Sequence, residues 1–336
     1  MTISELPLSL VAVPAGALLS AGMTWAIRPL LLRHALAKPN ARSAHRVPTP
    51  QGAGIAVIAA TLVVAGAIIA CASTMEMNTF AAVFGASLFI AIVGFADDVT
   101  PISVLPRLML QALAVGAIIF TASSDLRIVP ACPLWIERGL LLLAGLWFVN
   151  LVNFMDGLDW MMVAKVVPIS TALVLLGLLG ELSLSATIVA AALGGAIIGF
   201  APFNRPVAKV FLGDAGSLPI GLLLGWCLLE LIYRQHLAAA FLLPLYYWVD
   251  TTVTLLRRLA MGEPFWAAHR SHFYQRATDG GFTVLRVVSE LFALNVGLAA
   301  LAIASTMTGS SATNILFCAV GSLAVAFMLH RFSRQR

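Results

Sequence analysis

Residues 79–98 read TFAAVFGASLFIAIVGFADD. From Thr79 to Ala96 there is no charge, and the run then stops on two adjacent carboxylates, Asp97 and Asp98. Coiled as a helix, such a run is about 27 Å long, close to the ~30 Å hydrocarbon core of a bilayer. The stretch therefore reads as a membrane span that ends at a charged boundary.

The same texture repeats along the chain. Apolar residues make up 60% of the 336 positions and charged residues 10%, with a mean hydropathy of +0.97. Soluble chains are roughly half apolar and a quarter charged. Apolar runs predict eleven helices, near 8–32, 53–71, 79–95, 107–122, 134–152, 160–179, 184–200, 217–233, 238–256, 285–303 and 313–330. The fold class is an all-α polytopic membrane bundle of 10–11 transmembrane helices, one domain over 1–336. Gly195 and Gly199 have the spacing for close helix contact.

Lysine and arginine set the orientation. With the N-terminus periplasmic and the C-terminus cytoplasmic, inner loops and helix ends hold 17 of the 20, leaving Arg127, Arg138 and Arg234 outside. The first positive residue is Arg28, so the first apolar run reads as a retained helix. The net charge of +5 fits basic loops against anionic lipid and needs no nucleic acid. The four cysteines form no CxxC pair; Cys71 and Cys132 both fall near the outer face, where a disulfide can form.

The inner loops are then 33–52, 96–106, 153–159, 201–216 and 257–284, and every polar cluster falls on them. They are RSAHRVPTPQGAG from Arg42, with His45; the Asp97–Asp98 pair; NLVNFMDGLD from Asn150 to Asp159; FLGDAGS from Phe211 to Ser217; and HRSHFYQR from His269 to Arg276. Neighbouring carboxylates at a membrane boundary lose hydration and repel, which a metal, a basic ligand or a reacting proton would offset. A solvated helix end is the other reading of that pair.

Asn150, Asn153, Asp156 and Asp159 recur every three residues, which drifts about 60° per step on a straight helix. Asn150 and Asn153 are expected on the last turn of a helix, with Asp156 and Asp159 on the loop beyond Gly157. Their oxygens suit a hard cation such as Mg²⁺, and they also suit helix capping. Asp214 lies between Gly213 and Gly216, where a backbone can approach phosphate. Ser217 is equally a plain N-cap. His269 and His272 lack the cysteine company of structural zinc, so with Arg270 and Arg276 they read as phosphate or sugar contacts. Arg107 reads either as a lipid anchor or as a phosphate clamp. Asp250, inside the ninth helix, is read as the partner of an inner-face group.

Taken together, these motifs resemble the polyprenyl-phosphate N-acetylhexosamine-1-phosphate transferases of glycosyltransferase family 4. Related to them are the phospho-N-acetylmuramoyl-pentapeptide transferases of peptidoglycan synthesis. The resemblance runs from Arg42 to Arg276 with the motifs in family order. It implies transfer of a sugar-1-phosphate from a UDP-sugar to undecaprenyl phosphate with release of UMP, using Mg²⁺ or Mn²⁺, at the cytoplasmic face of a bacterial inner membrane. It further implies metal-binding roles for Asp214 and Asn153, and uracil stacking by Phe211. Asp97 and Asp98 would engage the lipid phosphate, as base or as positioning groups. Asp156 and Asp159 join them as catalytic candidates. His269, His272, Arg270, Arg107, Asn150 and His45 are the substrate-binding candidates. The last loop lacks a run of three histidines and looks like the branch that begins O-antigen and related surface glycans, with UDP-N-acetylglucosamine or a deoxy relative as donor. A homodimer is one assembly open to such a bundle. The rival from another class is an ion-coupled transporter, which should carry its charges near the midplane on broken helices.

Overall fold

The computed structural model describes residues 6–37, 48–72, 75–263 and 269–334. His45 and most of the Arg42–Pro48 stretch lie outside these residues. Thirteen α-helices occur among the described residues. They are α1 (Leu6–His34), α2 (Gly54–Ala72), α3 (Met77–Val99), α4 (Val104–Thr121), α5 (Leu134–Phe154), α6 (Met161–Leu178) and α7 (Leu184–Phe200). After these come α8 (Asp214–Tyr233), α9 (Leu237–Leu242), α10 (Leu245–Ala260), α11 (Phe273–Asp279), α12 (Val284–Thr308) and α13 (Ser311–Ser333). A two-residue antiparallel pair, β1 (Leu36–Ala37) and β2 (Thr49–Pro50), closes the first loop.

Ten of these helices are long and apolar enough to cross a membrane, as the run lengths predict. The chain is thus a multi-pass, all-α membrane bundle. The expected ninth helix, 238–256, is instead two shorter pieces, α9 and α10, broken at Leu243–Pro244. Proline has no N–H to donate and its ring clashes with the carbonyl four residues back, so a helix ends there. Beyond the break, α10 turns its polar side inward: Asp250, Thr251, Thr254 and Arg258 are buried, while Val253, Leu256 and Leu259 are exposed. That is the reverse of a soluble amphipathic helix, and it suits one whose outer face meets lipid.

Helices α6, α7 and α8 form the centre, and α1 and α13 lie at the periphery. Helix α7 is apolar all round and is buried along nearly its whole length. It packs on α1 through glycine: a Cβ on Gly195 would fall 2.1 Å from the Val13 carbonyl oxygen, and one on Gly199 the same distance from that of Ala17. Cys71 and Cys132 are free thiols. One end of the bundle gathers the C-termini of α3, α5 and α10 with the N-termini of α6 and α8, and the acidic motifs sit there.

Candidate active site

The site is built where α2, α3 and α8 meet backbone to backbone. A Cβ on Gly54 would fall 2.2 Å from the Gly216 nitrogen, and one on Gly94 would fall 2.3 Å from the Asp214 carbonyl oxygen. The ends of the first and fourth loops are laced together by the same approach. Phe211 N–H donates to the Pro50 carbonyl at 2.8 Å; Ala53 and Gly54 N–H donate to the Phe211 and Leu212 carbonyls at 3.1 and 2.8 Å.

Helix α8 starts with no cap of its own, since its N-cap residue is Gly213, at φ 77°. The first backbone N–H groups of a helix need acceptors. Asp98 of α3 supplies them from across the junction: its carboxylate accepts from Asp214 N–H at 2.9 Å and Ala215 N–H at 3.0 Å, and also from the Gln51 side chain. An anion at a helix N-terminus also opposes the helix dipole.

Asp97 faces the other way along the rim. It accepts from Ile102 N–H at 2.6 Å and from Arg107 Nη1 at 2.8 Å. Arg107 is therefore an ion-pair partner of the acidic cluster. The Asp214 side chain lies within hydrogen-bond reach of both Asn153 and Asp97. Asn153, on the last turn of α5, also donates to Ser217 Oγ at 3.2 Å. Carboxyl groups gathered this closely repel one another, which a proton or a cation offsets.

Asp156 follows on the loop after α5. Loss of hydration pushes its carboxyl up from the ordinary 3.8 to about 8; Lys165 opposes this, and Asp214, Asp98 and Asp159 add to it. Lys165 itself is buried and donates to the Val152 carbonyl at 3.0 Å.

The third wall is the histidine loop, anchored by Asp250. One oxygen of this fully buried carboxylate meets His272 Nδ1 at 3.1 Å, Phe273 N–H at 3.2 Å and Thr254 Oγ1 at 3.2 Å. The other accepts from Tyr246 Oη at 2.9 Å. Asp250 thus has a partner, His272 of the loop after α10, as its place inside an apolar run suggests. Tyr274 Oη donates to the Phe154 carbonyl at 3.0 Å, which draws the loop onto the end of α5. Gly157 leaves the room for this, since a Cβ there would lie 2.2 Å from Tyr274 Oη. His269 lies beside His272, with ring centroids 4.9 Å apart and the planes tilted by 37°, and its Nδ1 meets Ser271 Oγ at 2.9 Å.

The structure thus brings Asp97, Asp98, Asn153, Asp156 and Asp214 together, with Arg107 at the edge and His269 and His272 on the adjoining wall. Other candidates are occupied elsewhere. Asn150 donates to Gln111 Oε1 at 2.7 Å and to the Leu146 carbonyl at 2.8 Å. Asp159 is buried and accepts from Ala208 N–H at 3.0 Å, clamping the loop after α7. Arg270 bonds Asp279 at 3.0 Å and Thr278 at 3.2 Å. Phe211 is half-buried on the loop ladder. Sequence reasoning missed Gln51, which holds Asp98, and Lys165. A lysine inside an apolar span was the available signal for the latter.

Among the described residues, no three His, Cys, Asp or Glu side chains form a metal cage. Mg²⁺ does not need one: it keeps waters and takes one or two protein oxygens plus substrate phosphate. The Asp214 carboxylate offers such oxygens, and Asn153, whose amide nitrogen turns to Ser217, has an amide oxygen as its second donor atom. The four carboxylates Asp97, Asp98, Asp156 and Asp214 face only Arg107 and Lys165 in the contacts above, a balance that suits a divalent cation.

A polytopic bundle that gathers carboxylates, amides and histidines at one end is the architecture of a membrane-embedded enzyme for anionic substrates. Residues 80–232 match the profile of glycosyl transferase family 4. The chain is 29% identical over 266 residues to a probable undecaprenyl-phosphate N-acetylglucosaminyl 1-phosphate transferase of Bacillus subtilis, covering 74% of this chain and 71% of that one. It is 29% identical over 337 residues to a decaprenyl-phosphate N-acetylglucosaminephosphotransferase of Mycolicibacterium smegmatis, covering 89% and 82%. It is also 26% identical over 274 residues to a phospho-N-acetylmuramoyl-pentapeptide-transferase of Aliarcobacter butzleri, covering 69% and 76%. Over most of its length the chain is thus similar to sugar-1-phosphate transferases, and its central residues 80–232 carry the match to glycosyl transferase family 4.

Proposed function

We propose that this enzyme transfers an N-acetylhexosamine-1-phosphate from a UDP-sugar to undecaprenyl phosphate at the cytoplasmic face of a bacterial inner membrane. The donor is UDP-N-acetylglucosamine or a deoxy relative, and the product starts an O-antigen or related surface glycan. The observation that carries the reading is the meeting of three motifs at the start of α8, where Asp98 accepts from Asp214 N–H and Asn153 donates to Ser217. It sets oxygen donors beside helix N–H groups at a bundle end, where a lipid phosphate and a soluble nucleotide can meet.

In the reaction an oxygen of the lipid phosphate bonds to the sugar-bound phosphorus, and the bond from that phosphorus to UMP breaks. Both partners are anionic, so neutralising charge is the first requirement. Asp214 and Asn153 would hold Mg²⁺, which when bound neutralises phosphate oxygens. Asp98, with two backbone N–H groups on its oxygens, fits a positioning role better than that of a base. A phosphate monoester is largely ionised at neutral pH and needs little help from a base. Asp97 keeps Arg107 at the rim. His269 and His272 face the donor's sugar-phosphate from the loop that Asp250 anchors.

The test is a donor panel with purified protein, undecaprenyl phosphate and Mg²⁺, read as UMP release and compared by kcat/KM. UDP-N-acetylglucosamine or its 6-deoxy analogues should win. The similarity to a pentapeptide transferase favours a second reading, and preference for UDP-N-acetylmuramoyl-pentapeptide would establish it. Uptake without UMP release, in proteoliposomes, would replace both with a transporter.

A further inference from the structure

Lys165 has no part in the chemistry described so far, yet it is one of the least accessible charged groups among the described residues, 1% exposed inside α6. A buried ammonium loses several kcal/mol of hydration unless its surroundings replace it. Three groups do so. The Val152 carbonyl, in the last turn of α5, accepts its proton at 3.0 Å. The face of Tyr247 lies 4.8 Å from Nζ, within cation–π range. Asp156 attracts it electrostatically.

These neighbours are themselves fixed. Tyr247 Oη meets Asn295 Nδ2 of α12 at 2.5 Å, and the same amide donates to the Ala164 carbonyl at 2.8 Å, next to Lys165 in the chain. The ammonium therefore sits at a set point between α5, α6, α10 and α12. The charges facing Asp156 are Lys165 from α6, Asp214 from α8, Asp98 from α3 and Asp159 from its own loop. Lys165 is the one cation in that set. From the α10–α11 side, the aromatic groups His272 and Tyr274 abut Phe154.

We propose that Lys165 is a positioning residue of the transferase site, supplying the fixed positive charge that holds Asp156 in place and tying down the α5 turn that carries Asn153. It touches neither substrate, being enclosed in protein. The proposal rests on the proposed function and on Asp156 being one of the reacting carboxylates of that site, ionised when active, so its test must separate the two.

Lys165→Met, Asp156→Asn and the double variant, purified as full-length protein, are compared by thermal unfolding and by the pH dependence of kcat/KM. Lys165→Met is expected to lose stability, and the double variant to recover most of that loss, because each single change leaves one buried group of the pair without its partner. The acid limb of kcat/KM in Lys165→Met should move up by about one pH unit or more, with kcat falling and the donor KM nearly unchanged. An unshifted acid limb overturns the proposal, as does a double variant that shows the sum of the two single losses. If Lys165→Met yields no folded protein, the double variant decides: folded supports the pairing, unfolded overturns it. Normal turnover in Asp156→Asn would remove Asp156 from the reaction, while the stability cycle still judges the pairing.

Discussion

Gly213→Ala puts the capping of α8 to a direct test. The new Cβ would lie 2.3 Å from Asp98 Oδ2, at a residue whose φ is 77°. Ordinary contact needs about 3.4 Å or more, so the carboxylate must retreat by roughly 1 Å. Its bonds to the Asp214 and Ala215 N–H groups, now 2.9 and 3.0 Å, would stretch beyond useful length. Backbone at φ 77° and ψ 178° is essentially reserved for glycine and costs another residue about 1–2 kcal/mol or more. Each hydrogen bond to a charged acceptor is worth about 1.5–3 kcal/mol. The sum is roughly 4–8 kcal/mol before the structure relaxes, enough to lower the melting temperature by several degrees. Because Asp214 rides on the same helix start, kcat/KM should fall about 100-fold or more, the usual cost of misplacing a reacting group by 1 Å. The assay is UMP release beside a thermal melt of the same sample. A Gly213→Ala enzyme with a normal melt and kcat/KM within about threefold of the parent would refute the capping argument.

Asp214→Asn should abolish turnover while leaving folding intact; near-normal turnover at saturating Mg²⁺ would remove Asp214 from metal binding. The pH dependence of stability follows from Asp156. Its carboxyl is raised from 3.8 to about 8 in the fold, so the folded state keeps a proton that the unfolded chain releases. In EDTA, stability should therefore decline as pH rises from about 4 to about 8 and level off above that, and Asp156→Asn should flatten this part of the slope in a series of melts. Orientation can be read with single cysteines at Asp279 and Ser124 in a background without the four native cysteines. In intact spheroplasts a membrane-impermeant thiol reagent should label Ser124→Cys and spare Asp279→Cys; the reverse pattern would turn the site to the outer face.

The spans were legible because a bilayer demands length and apolarity, and the chain writes both plainly. The break at Pro244 was not, since the flanking residues are as apolar as any span and only the proline marks the turn. Within the site, the motifs that converge are those where a carboxylate ends a span, as at Asp97, Asp98 and Asp214. Spacing could not tell that Asn150 turns to Gln111, or that Asp159 clamps Ala208, because a polar side chain at a helix end serves packing and chemistry with the same atoms. Arg270 spends its guanidinium on Asp279 and Thr278 for a similar reason: the loop has its own backbone to hold. Lys165 passed as one more inner-side positive charge in the orientation argument. Its burial, which singles it out, is a property of how α5, α6 and α10 pack, and in the sequence only its place inside an apolar run marks it.

The two halves of the site differ in mechanical compliance. Where α2, α3 and α8 meet at Gly54, Gly94 and Gly216, main chain rests on main chain, and no rotamer can yield. The histidine loop, by contrast, is held by side-chain bonds to Asp250 and by one tyrosine hydroxyl, groups that turn about their own χ angles. A change of side chain at the site is therefore absorbed first on the α10–α11 side, where single bonds give way one at a time, while the α8 side has no side chain to move.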